Sequence, residues 1–362
     1  MSDNRPIKYI ENSFLSSILS NEEITDISYN GKSLFYQHNF EGRRKIDFEP
    51  DEEEMRSFVR QIANLSSKQF SYSNPTLDVS FGKYRFTAIH HSIGKVKNED
   101  VISFSLRIAS DELKIKKDDD KFFPKCVGEL IDIIIDSNLS IVIGGITGSG
   151  KTEFQKYLIT RMREYTRVIA IDTVLELDSI DYPNDIDLNI WKADEKNEEM
   201  KPASLVRTAL RCNPDWLILA EARGKEMIDI LNSAMTGHPI ITTLHAFNIN
   251  SVPKRMARMV LDNNLKMNIK GVLEDIYMHF PFYFYLKKEM MPSGEIKRYL
   301  DSIMFISDKG KQYIIYQKHD DTYEFNPLPD EAIKLLKRAA KSQYFEQMLK
   351  KGEIGNEETN AL

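Results

Sequence analysis

The sequence predicts an α/β protein in which a smaller N-terminal α+β domain precedes a larger C-terminal domain with a mostly parallel sheet. Three observations support this fold class. Short β-branched runs alternate with amphipathic helices after residue 126, a glycine-rich loop joins one such run to a helix, and strand patterns dominate the N-terminal part. The length of 362 residues also exceeds what one core usually holds. The predicted domains are 1–108 and 126–352, with a charged linker at 109–125 and a polar tail at 353–362.

The N-terminal part has the pattern of an α+β unit. Alternating residues on both sides of Asn30-Gly31 predict a β-hairpin, because this dipeptide favours a tight turn. Helical spacing over 52–65 predicts a helix, and three further runs alternate as strands do. The predicted strands are 24–31, 33–37, 77–81, 84–89 and 101–106. The following linker contains a charge run at 114–121, which is typical of a solvated segment.

The C-terminal part alternates between strands and helices. The predicted strands are 140–144, 167–172, 216–220 and 239–244. The predicted helices are 128–138, 153–163, 202–211, 225–235 and 251–277, followed by a β meander at 279–318 and a helix from about 330. Such alternation predicts a parallel sheet covered on both faces, with ligands at the carboxyl ends of its strands.

The segment Gly145-Ile-Thr-Gly-Ser-Gly-Lys-Thr152 matches the G-x-x-x-x-G-K-[ST] phosphate loop, between an apolar strand and a helix. Glycines allow main-chain N–H groups to turn toward phosphates, and the helix N-terminus adds partial positive charge. Lys151 is expected to neutralise β and γ phosphates, and the Thr152 hydroxyl to bind Mg²⁺. The expected ligands are ATP and Mg²⁺. The residues that we expect around the nucleotide are Gly145, Thr147, Gly148, Ser149, Gly150, Lys151 and Thr152.

A second apolar run, Asp215-Trp-Leu-Ile-Leu-Ala-Glu221, ends in a carboxylate. A hydrolase with a phosphate loop needs such a group to organise metal or polarise water. Glu221 is therefore the candidate that orients the attacking water, and a solvated glutamate at a strand end is the alternative. Arg223 is a candidate for bridging Glu221 or binding phosphate bidentately, with a surface charge as its alternative.

Two histidines and two acids follow other strands of the predicted sheet. His238 and His245 lie at the two ends of the fourth strand and are candidate donors toward phosphate or water, although a lone histidine is usually structural. Asp172 and Glu176 follow the second strand. They are candidates for the Mg²⁺ water shell, with capping of the next element as the alternative.

Four arginines are further candidates for positive charge at a nucleotide. Arg207 and Arg211 have i, i+4 spacing on one predicted helix, where they would line the active site or a subunit contact. Arg85 and Arg107 lie on predicted N-terminal strands and would reach the nucleotide from that domain. Structural ion pairs are the alternative, and they explain all four arginines nearly as well.

The bulk composition restricts the remaining classes. A net charge of −6 gives no support for broad nucleic-acid binding. The two cysteines have no C-x-x-C spacing, so neither a zinc module nor a redox pair is indicated. No apolar run approaches the length of a membrane span, and the polar N-terminus is unlike a signal peptide. We therefore expect a cytoplasmic protein whose contact with any membrane is peripheral.

Together these segments resemble the secretion ATPase superfamily, which powers type II and type IV secretion, conjugation and type IV pili. Residues 210–226, 234–238 and 243–246 are similar to its Walker B and histidine boxes. Residues 171–177 resemble its acidic box, and 25–31 with 105–107 resemble its N-terminal domain.

The resemblance implies a RecA-like ATPase domain and a ring hexamer with ATP held between the two domains. Lys151 and Thr152 would bind phosphate and Mg²⁺, Glu221 would be the catalytic carboxylate, Glu176 the acidic-box glutamate and His245 the second histidine of its box. The expected partners are copies of the chain and a membrane-embedded secretion or conjugation machine, at the inner face of the membrane. The length and the absence of a four-cysteine insert favour the type IV secretion and conjugation branch or a fibre-assembly branch.

The chain departs from the family pattern in three places. Asp172-Thr173 stands where the family has Glu-Asp, Ala220 replaces a glycine and Phe247 replaces an asparagine. The altered acidic box supports one rival to an active secretion ATPase, a scaffold that binds ATP without hydrolysing it. A DNA-handling motor of the same fold is a second rival, which the acidic charge balance disfavours.

Overall fold

The computed structural model of the chain describes residues 4–48, 50–115, 122–183, 185–262, 267–320 and 322–339. The predicted polar tail at 353–362 and most of the charge run at 114–121 lie outside these residues. The chain divides into two compact units. The first contains Met1–Glu112 with Glu289–Lys297, and the second contains Leu113–Lys288 with Arg298–Leu362.

The first unit is built on an antiparallel sheet of six strands, in the order β3-β2-β1-β8-β5-β4. Its helices are α1 (Arg5–Glu11), α2 (Ser16–Leu19) and α3 (Glu52–Leu65). Its strands are β1 (Ile24–Tyr29), β2 (Leu34–His38), β3 (Gly42–Lys45), β4 (Thr76–Phe81), β5 (Tyr84–Ile89), β6 (Lys95–Val96), β7 (Glu99–Asp100) and β8 (Ser103–Ile108). β6 and β7 form a separate two-stranded ladder.

Helix α3 supplies much of the core of the first unit. It begins after Asp51, whose side chain accepts a hydrogen bond from the Glu54 N–H at 2.9 Å and so caps the helix. Phe58 on the buried face lies 6.0 Å from Phe86 and 5.6 Å from Phe104, between ring centroids. The helix therefore covers the face of the sheet that β5 and β8 line with aromatic residues.

The second unit is built on a nine-stranded sheet in the order β11-β10-β12-β13-β9-β14-β15-β16-β17. Its strands are β9 (Ile141–Gly145), β10 (Arg167–Asp172), β11 (Asp187–Lys192), β12 (Trp216–Leu219), β13 (Ile240–His245), β14 (Phe282–Met290), β15 (Ile296–Ile306), β16 (Gln312–His319) and β17 (Thr322–Phe325). Its helices are α4 (Lys125–Asp136), α5 (Lys151–Thr160), α6 (Pro202–Ala209), α7 (Met227–Met235), α8 (Val252–Leu261), α9 (Ile269–His279) and α10 (Asp330–Ala339). Short 3₁₀ helices include Glu176–Ser179 and Leu210–Cys212.

Six neighbouring strands of this sheet, β11, β10, β12, β13, β9 and β14, run parallel to one another. Each face of the sheet is buried in a separate hydrophobic core. In β9, Ile141 and Ile143 contribute to one core and Val142 to the other, because successive side chains point to opposite faces. The mixed α/β fold with a mostly parallel sheet is therefore confirmed.

Three differences from the predicted elements concern the sheet of the second unit and the expected linker. The segment predicted as a meander does supply the successive neighbours β14, β15 and β16, but the pairing of β14 with β9 on its other side, in the parallel sheet, was not predicted. Strand β11 was not predicted, because it is short and only half of its residues are apolar. Ile115, Phe122 and Phe123 of the expected solvated linker are buried in the second unit.

Among the residues that the structure describes, no helix is both long enough and apolar enough to span a membrane.

Candidate active site

The loop between β9 and α5 has the conformation that a phosphate loop requires. Gly148 and Gly150 have φ values of +72° and +95°, which residues with a Cβ rarely adopt. A Cβ on Gly145 would lie 2.5 Å from the Ser149 Oγ and 2.7 Å from the Leu286 carbonyl oxygen. The sequence thus needs glycine at these positions to form this loop.

Lys151, the first residue of α5, folds back over this loop. Its ammonium donates to the carbonyl oxygens of Gly145 at 3.1 Å and Ile146 at 2.9 Å. Its Nζ also lies 3.3 Å from the Nδ1 of His245. Only 8% of Lys151 is exposed, so its charge is concentrated at the loop rather than screened by solvent.

His245 and Glu221 meet at the carboxyl edge of the parallel sheet. β13 lies between β12 and β9, and its register places His245 opposite Gly145. The His245 Nε2 lies 2.8 Å from the Glu221 Oε1. With the proton on Nε2, the ring donates to the carboxylate and its Nδ1 accepts from the Lys151 ammonium. The structure therefore brings together three predicted site residues in one hydrogen-bonded chain.

Arg223 holds the other oxygen of Glu221. The Nε and Nη2 of Arg223 donate to the Glu221 Oε2 at 2.9 and 2.7 Å. Burial opposes ionisation of Glu221, but the hydrogen bonds from Arg223 and the electrostatic effects of Arg223, His245 and Lys151 outweigh burial and hold the pKa of this carboxyl below its usual value. The same ion pair raises the pKa of Arg223. Glu221 is thus an ionised carboxylate, as activation of water requires.

Three neighbours that the sequence analysis missed fix the backbone around Glu221. The Thr243 hydroxyl donates to the Ala220 carbonyl at 2.8 Å, and the buried Gln155 amide donates to the Leu219 carbonyl at 3.1 Å. Glu226 accepts from the main-chain N–H groups of Arg223 and Gly224. The end of β12 is therefore held by β13, by the phosphate-loop helix α5 and by its own turn.

Asp172 acts as a structural cap. Its buried carboxylate accepts from the Val174 N–H at 2.9 Å and from the Leu177 N–H at 3.1 Å. These bonds form the turn that leads into the 3₁₀ helix Glu176–Ser179, and Leu175 before it has a φ of +58°. Of the two acids at and after the end of β10, Glu176 at the start of that helix is the one that remains a candidate for the Mg²⁺ water shell.

Three other predicted site residues lie away from the phosphate loop of the same chain. His238 precedes β13 and His245 ends it, so the two histidines lie at opposite edges of the sheet, separated by a strand of six residues that spans about 20 Å. The Nδ1 of His238 lies 3.1 Å from the Thr236 hydroxyl.

Arg211 is exposed in the 3₁₀ helix before β12, on the same edge of the sheet as His238. Arg207 donates to Asp229 of α7 at 2.9 Å, as the ion-pair alternative expects.

Arg85 and Arg107 face each other across β5 and β8 in the first unit. Like charges placed directly opposite are destabilising in a sheet. Asp26 lies opposite Arg107 on the other side, and Arg85 is 3.7 Å from Asp78. These acids offset the repulsion, and a role of either arginine toward a nucleotide stays a prediction.

Arg298 contacts the phosphate loop without having been predicted. Its Nε donates to the Gly148 carbonyl at 2.8 Å. Because 150 residues separate the two, no local sequence pattern could have indicated this contact.

The residues present fit a nucleotide. Ser149 is completely buried within the loop, and its hydroxyl has no hydrogen-bond partner among the described residues. Such a group requires a partner, and the phosphate of a nucleotide would supply one.

For Mg²⁺, the residues that would hold the ion are Thr152 directly and Glu176 through water. Among the described residues, no cluster of three His, Cys, Asp or Glu side chains forms a separate metal site.

Sequence comparison extends these observations. The family described as "Type II/IV secretion system protein" matches residues 99–277. An uncharacterised protein of Bacillus anthracis is 28% identical over 308 residues, which cover 82% of this chain and 68% of that protein. The type IV secretion system protein VirB11 of Brucella suis is 41% identical over 127 residues, 34% of this chain. The matched segment spans only 35% of the length of VirB11.

The solved structure of the ATPase DotB from Legionella pneumophila has the same fold. Its TM-score with this chain is 0.60 at 17% identity, and the match covers 95% of this chain and 93% of the DotB chain. The family match over residues 99–277, the VirB11 similarity and the phosphate loop with its Lys151–His245–Glu221 chain agree with one another: over about half of its length, the chain is similar to the type II/IV secretion system proteins.

Proposed function

We propose that this protein is a Mg²⁺-dependent ATPase. The observation that carries the proposal is the hydrogen-bonded chain from Lys151 through His245 to Glu221 at the edge of the phosphate loop. It joins a cation that suits a γ-phosphate to an ionised carboxylate that suits a water molecule.

Each residue has a defined role in this proposal. The loop amides and Lys151 bind the phosphates, and Thr152 ligates Mg²⁺, which supplies neutralisation of the charge on the phosphates. Glu221 orients the attacking water, and His245 aligns Glu221 with Lys151. Arg223 keeps Glu221 ionised, and Glu176 orders the water shell of the metal.

We further propose that hydrolysis energises a type IV secretion or conjugation machine at the inner face of a membrane, with the chain assembled as a ring hexamer that associates peripherally with that membrane. The similarity to VirB11, named as a type IV secretion system protein, supports the machine. Work would be transmitted by rigid-body motion of the N-terminal domain against the RecA-like domain, a common response to γ-phosphate binding. Direct binding of nucleic acid is not part of this proposal.

The experiment that tests the ATPase is phosphate release from ATP and Mg²⁺ by the full chain. Lys151→Ala should lose nucleotide binding and turnover together. Glu221→Gln should lose turnover, by about a hundredfold or more, and keep ATP binding within a few-fold. Glu324→Gln and Lys254→Ala remove the same charges from exposed positions of β17 and α8 and should leave turnover unchanged. Undiminished turnover in Glu221→Gln would remove this residue from the mechanism.

A second candidate is a scaffold that binds ATP without hydrolysing it. The observation in its favour is that Asp172 is consumed by main-chain hydrogen bonds, which leaves Glu176 as the acid of that box able to act on the metal. Saturable ATP binding with no phosphate release from the assembled wild-type protein would favour the scaffold over the enzyme.

A further inference from the structure

Lys156 is a buried cation that the proposed mechanism does not use. It lies on α5, one and a half turns after Lys151, and only 1% of it is exposed. Its ammonium donates to the Glu153 Oε1 at 2.7 Å and to the Ser179 hydroxyl at 2.8 Å. A buried ammonium is costly unless it is paired and hydrogen-bonded, so both contacts constrain their partners.

The Ser179 contact joins the phosphate-loop helix to the turn that carries Glu176. Ser179 is the last residue of the 3₁₀ helix that Glu176 begins. The same turn is held near its start by Asp172 and in its middle by Tyr182, whose hydroxyl donates to the Leu177 carbonyl at 2.7 Å. Lys156 thus attaches this turn to the helix that follows the phosphate loop.

Glu153 extends the network to a third segment. Its second oxygen, Oε2, accepts from the main-chain N–H of Lys114 at 3.2 Å. Ile115, the next residue, is buried in the core of the second unit, with only 3% of it exposed. One carboxylate therefore connects α5 to the start of the segment between the two predicted domains, and one ammonium connects α5 to the Glu176 turn.

A contribution to stability alone does not account well for this arrangement. Replacing a buried ion pair by apolar groups is often neutral or stabilising, so such pairs are weak devices for stability. Buried ion pairs do fix the relative positions of the segments that carry them, because each hydrogen bond requires a particular distance and angle.

We propose that Lys156 is a positioning residue for the metal-binding half of the site: through Ser179 it fixes Glu176 relative to the phosphate loop, and through Glu153 it ties that geometry to the segment at Lys114. The proposal rests on the proposed function in one respect, since Glu176 is assigned there to the water shell of Mg²⁺.

The test compares Lys156→Met, Ser179→Ala and Ser179→Thr in the full chain. Methionine keeps the length of the lysine stem and removes its charge, alanine removes only the hydroxyl, and threonine restores it. Removing an outer contact of a metal site typically costs about 10- to 100-fold in metal affinity or activity. We expect the Mg²⁺ concentration for half-maximal phosphate release to rise about tenfold in Lys156→Met and Ser179→Ala, and to return toward wild type in Ser179→Thr. Nucleotide affinity measured in EDTA should stay within a few-fold of wild type.

Arg161→Met is the matched control for stability. Arg161 caps the other end of α5 and donates to Asp132 of α4 at 2.7 and 2.6 Å, away from the Glu176 turn. This variant should lower the thermal unfolding midpoint and leave the Mg²⁺ requirement unchanged. An Mg²⁺ requirement that rises equally in Arg161→Met, or that stays at the wild-type value in both Lys156→Met and Ser179→Ala, would overturn the proposal.

Amide hydrogen exchange separates failure of this inference from failure of the proposed function. The wild-type chain without nucleotide should protect residues 173–179, and Lys156→Met should accelerate their exchange by about tenfold or more, as a lost local attachment does. Arg161→Met should not. Faster exchange in a chain that releases no phosphate would reject the ATPase and keep the positioning role, whereas unchanged exchange in Lys156→Met would reject the positioning role in an active enzyme.

Discussion

The Nε2 of His245 lies 2.8 Å from the Oε1 of Glu221, across two neighbouring parallel strands. The other nitrogen of the same ring lies 3.3 Å from the Lys151 ammonium. His245 therefore contacts both the cation of the phosphate loop and the carboxylate proposed to act on water. Loss of the ring would leave these two groups without their shared partner.

We expect His245→Ala to lower kcat for ATP hydrolysis by roughly a hundredfold, within the range for removal of a group that acts on proton transfer. The affinity for nucleotide should change only a few-fold, because the loop and Lys151 remain. Steady-state kinetics would measure kcat, and a nucleotide-binding titration would measure the affinity. His319→Ala, at an exposed position 3.7 Å from Glu324, is the control, and equal kcat in the two variants would contradict a role for His245.

The pH dependence of turnover should reveal how Arg223 controls the pKa of Glu221. Because burial raises the pKa of Glu221 and Arg223 provides the largest opposing effect, Arg223→Met should raise this pKa. In the wild type the pKa of this carboxyl lies below its usual value, so Glu221 is ionised at neutral pH. We expect the acid limb of the kcat/KM profile to move to higher pH in Arg223→Met. An acid limb that coincides with that of the wild type would show that Arg223 does not control Glu221.

The Glu221–Arg223 ion pair should also make the free energy of unfolding depend on pH. A carboxyl whose folded pKa is depressed contributes stability above its unfolded pKa, and that contribution is lost as the pH falls through the folded pKa. Urea unfolding at neutral pH and below pH 4 should therefore differ more in the wild type than in Arg223→Met. If both lose equal stability on acidification, Glu221 is not the group responsible.

Gly145→Ala should damage the phosphate loop. The new Cβ would meet the Leu286 carbonyl at 2.7 Å, and a strand carbonyl cannot rotate away as a side chain can. We expect a loss of about 1–3 kcal/mol in unfolding free energy, as for other overpacked sites, together with weaker nucleotide binding. Gly271→Ala is the control, because this helical position in α9 is open and alanine favours a helix over glycine. Equal nucleotide affinity in both variants would contradict the steric argument.

Asp172→Asn should destabilise the protein although it replaces only one carboxylate oxygen by an amino group. Both carboxylate oxygens accept main-chain hydrogen bonds, and an amide can accept with only one of them. The buried N–H that loses its partner should cost about 1–3 kcal/mol of unfolding free energy. Asp178→Asn, exposed on the same 3₁₀ helix, should cost less than about 0.5 kcal/mol. Chemical denaturation of both variants measures the difference, and similar losses would argue against the capping role.

Prediction from sequence succeeded where the pattern is local. Helix α3 has the predicted bounds, because Asp51 caps it and its apolar residues repeat at helical spacing. Strand β5 also has its predicted bounds, since its residues alternate between core and surface. Strand β14 belongs to the predicted meander, but its pairing with β9 was missed because it depends on contacts about 140 residues away in the chain. Strand β11 was missed because it is short and only half of its residues are apolar, although Leu188 and Ile190 alternate with Asp187 and Asn189.

For the candidate site, the sequence by itself determined the phosphate loop, the carboxylate at the end of β12 and the histidine at the end of β13, because each depends on residue types at fixed local spacing. Tertiary structure alone decided which of these groups meet. Lys151 and His245 are 94 residues apart, and they lie together because β13 pairs with β9 and both strands end at the same edge. The same geometry separates His238 from that edge, and it joins Lys156 to Ser179 and Arg298 to Gly148, since strand order and register depend on the packing of the whole sheet rather than on any one segment.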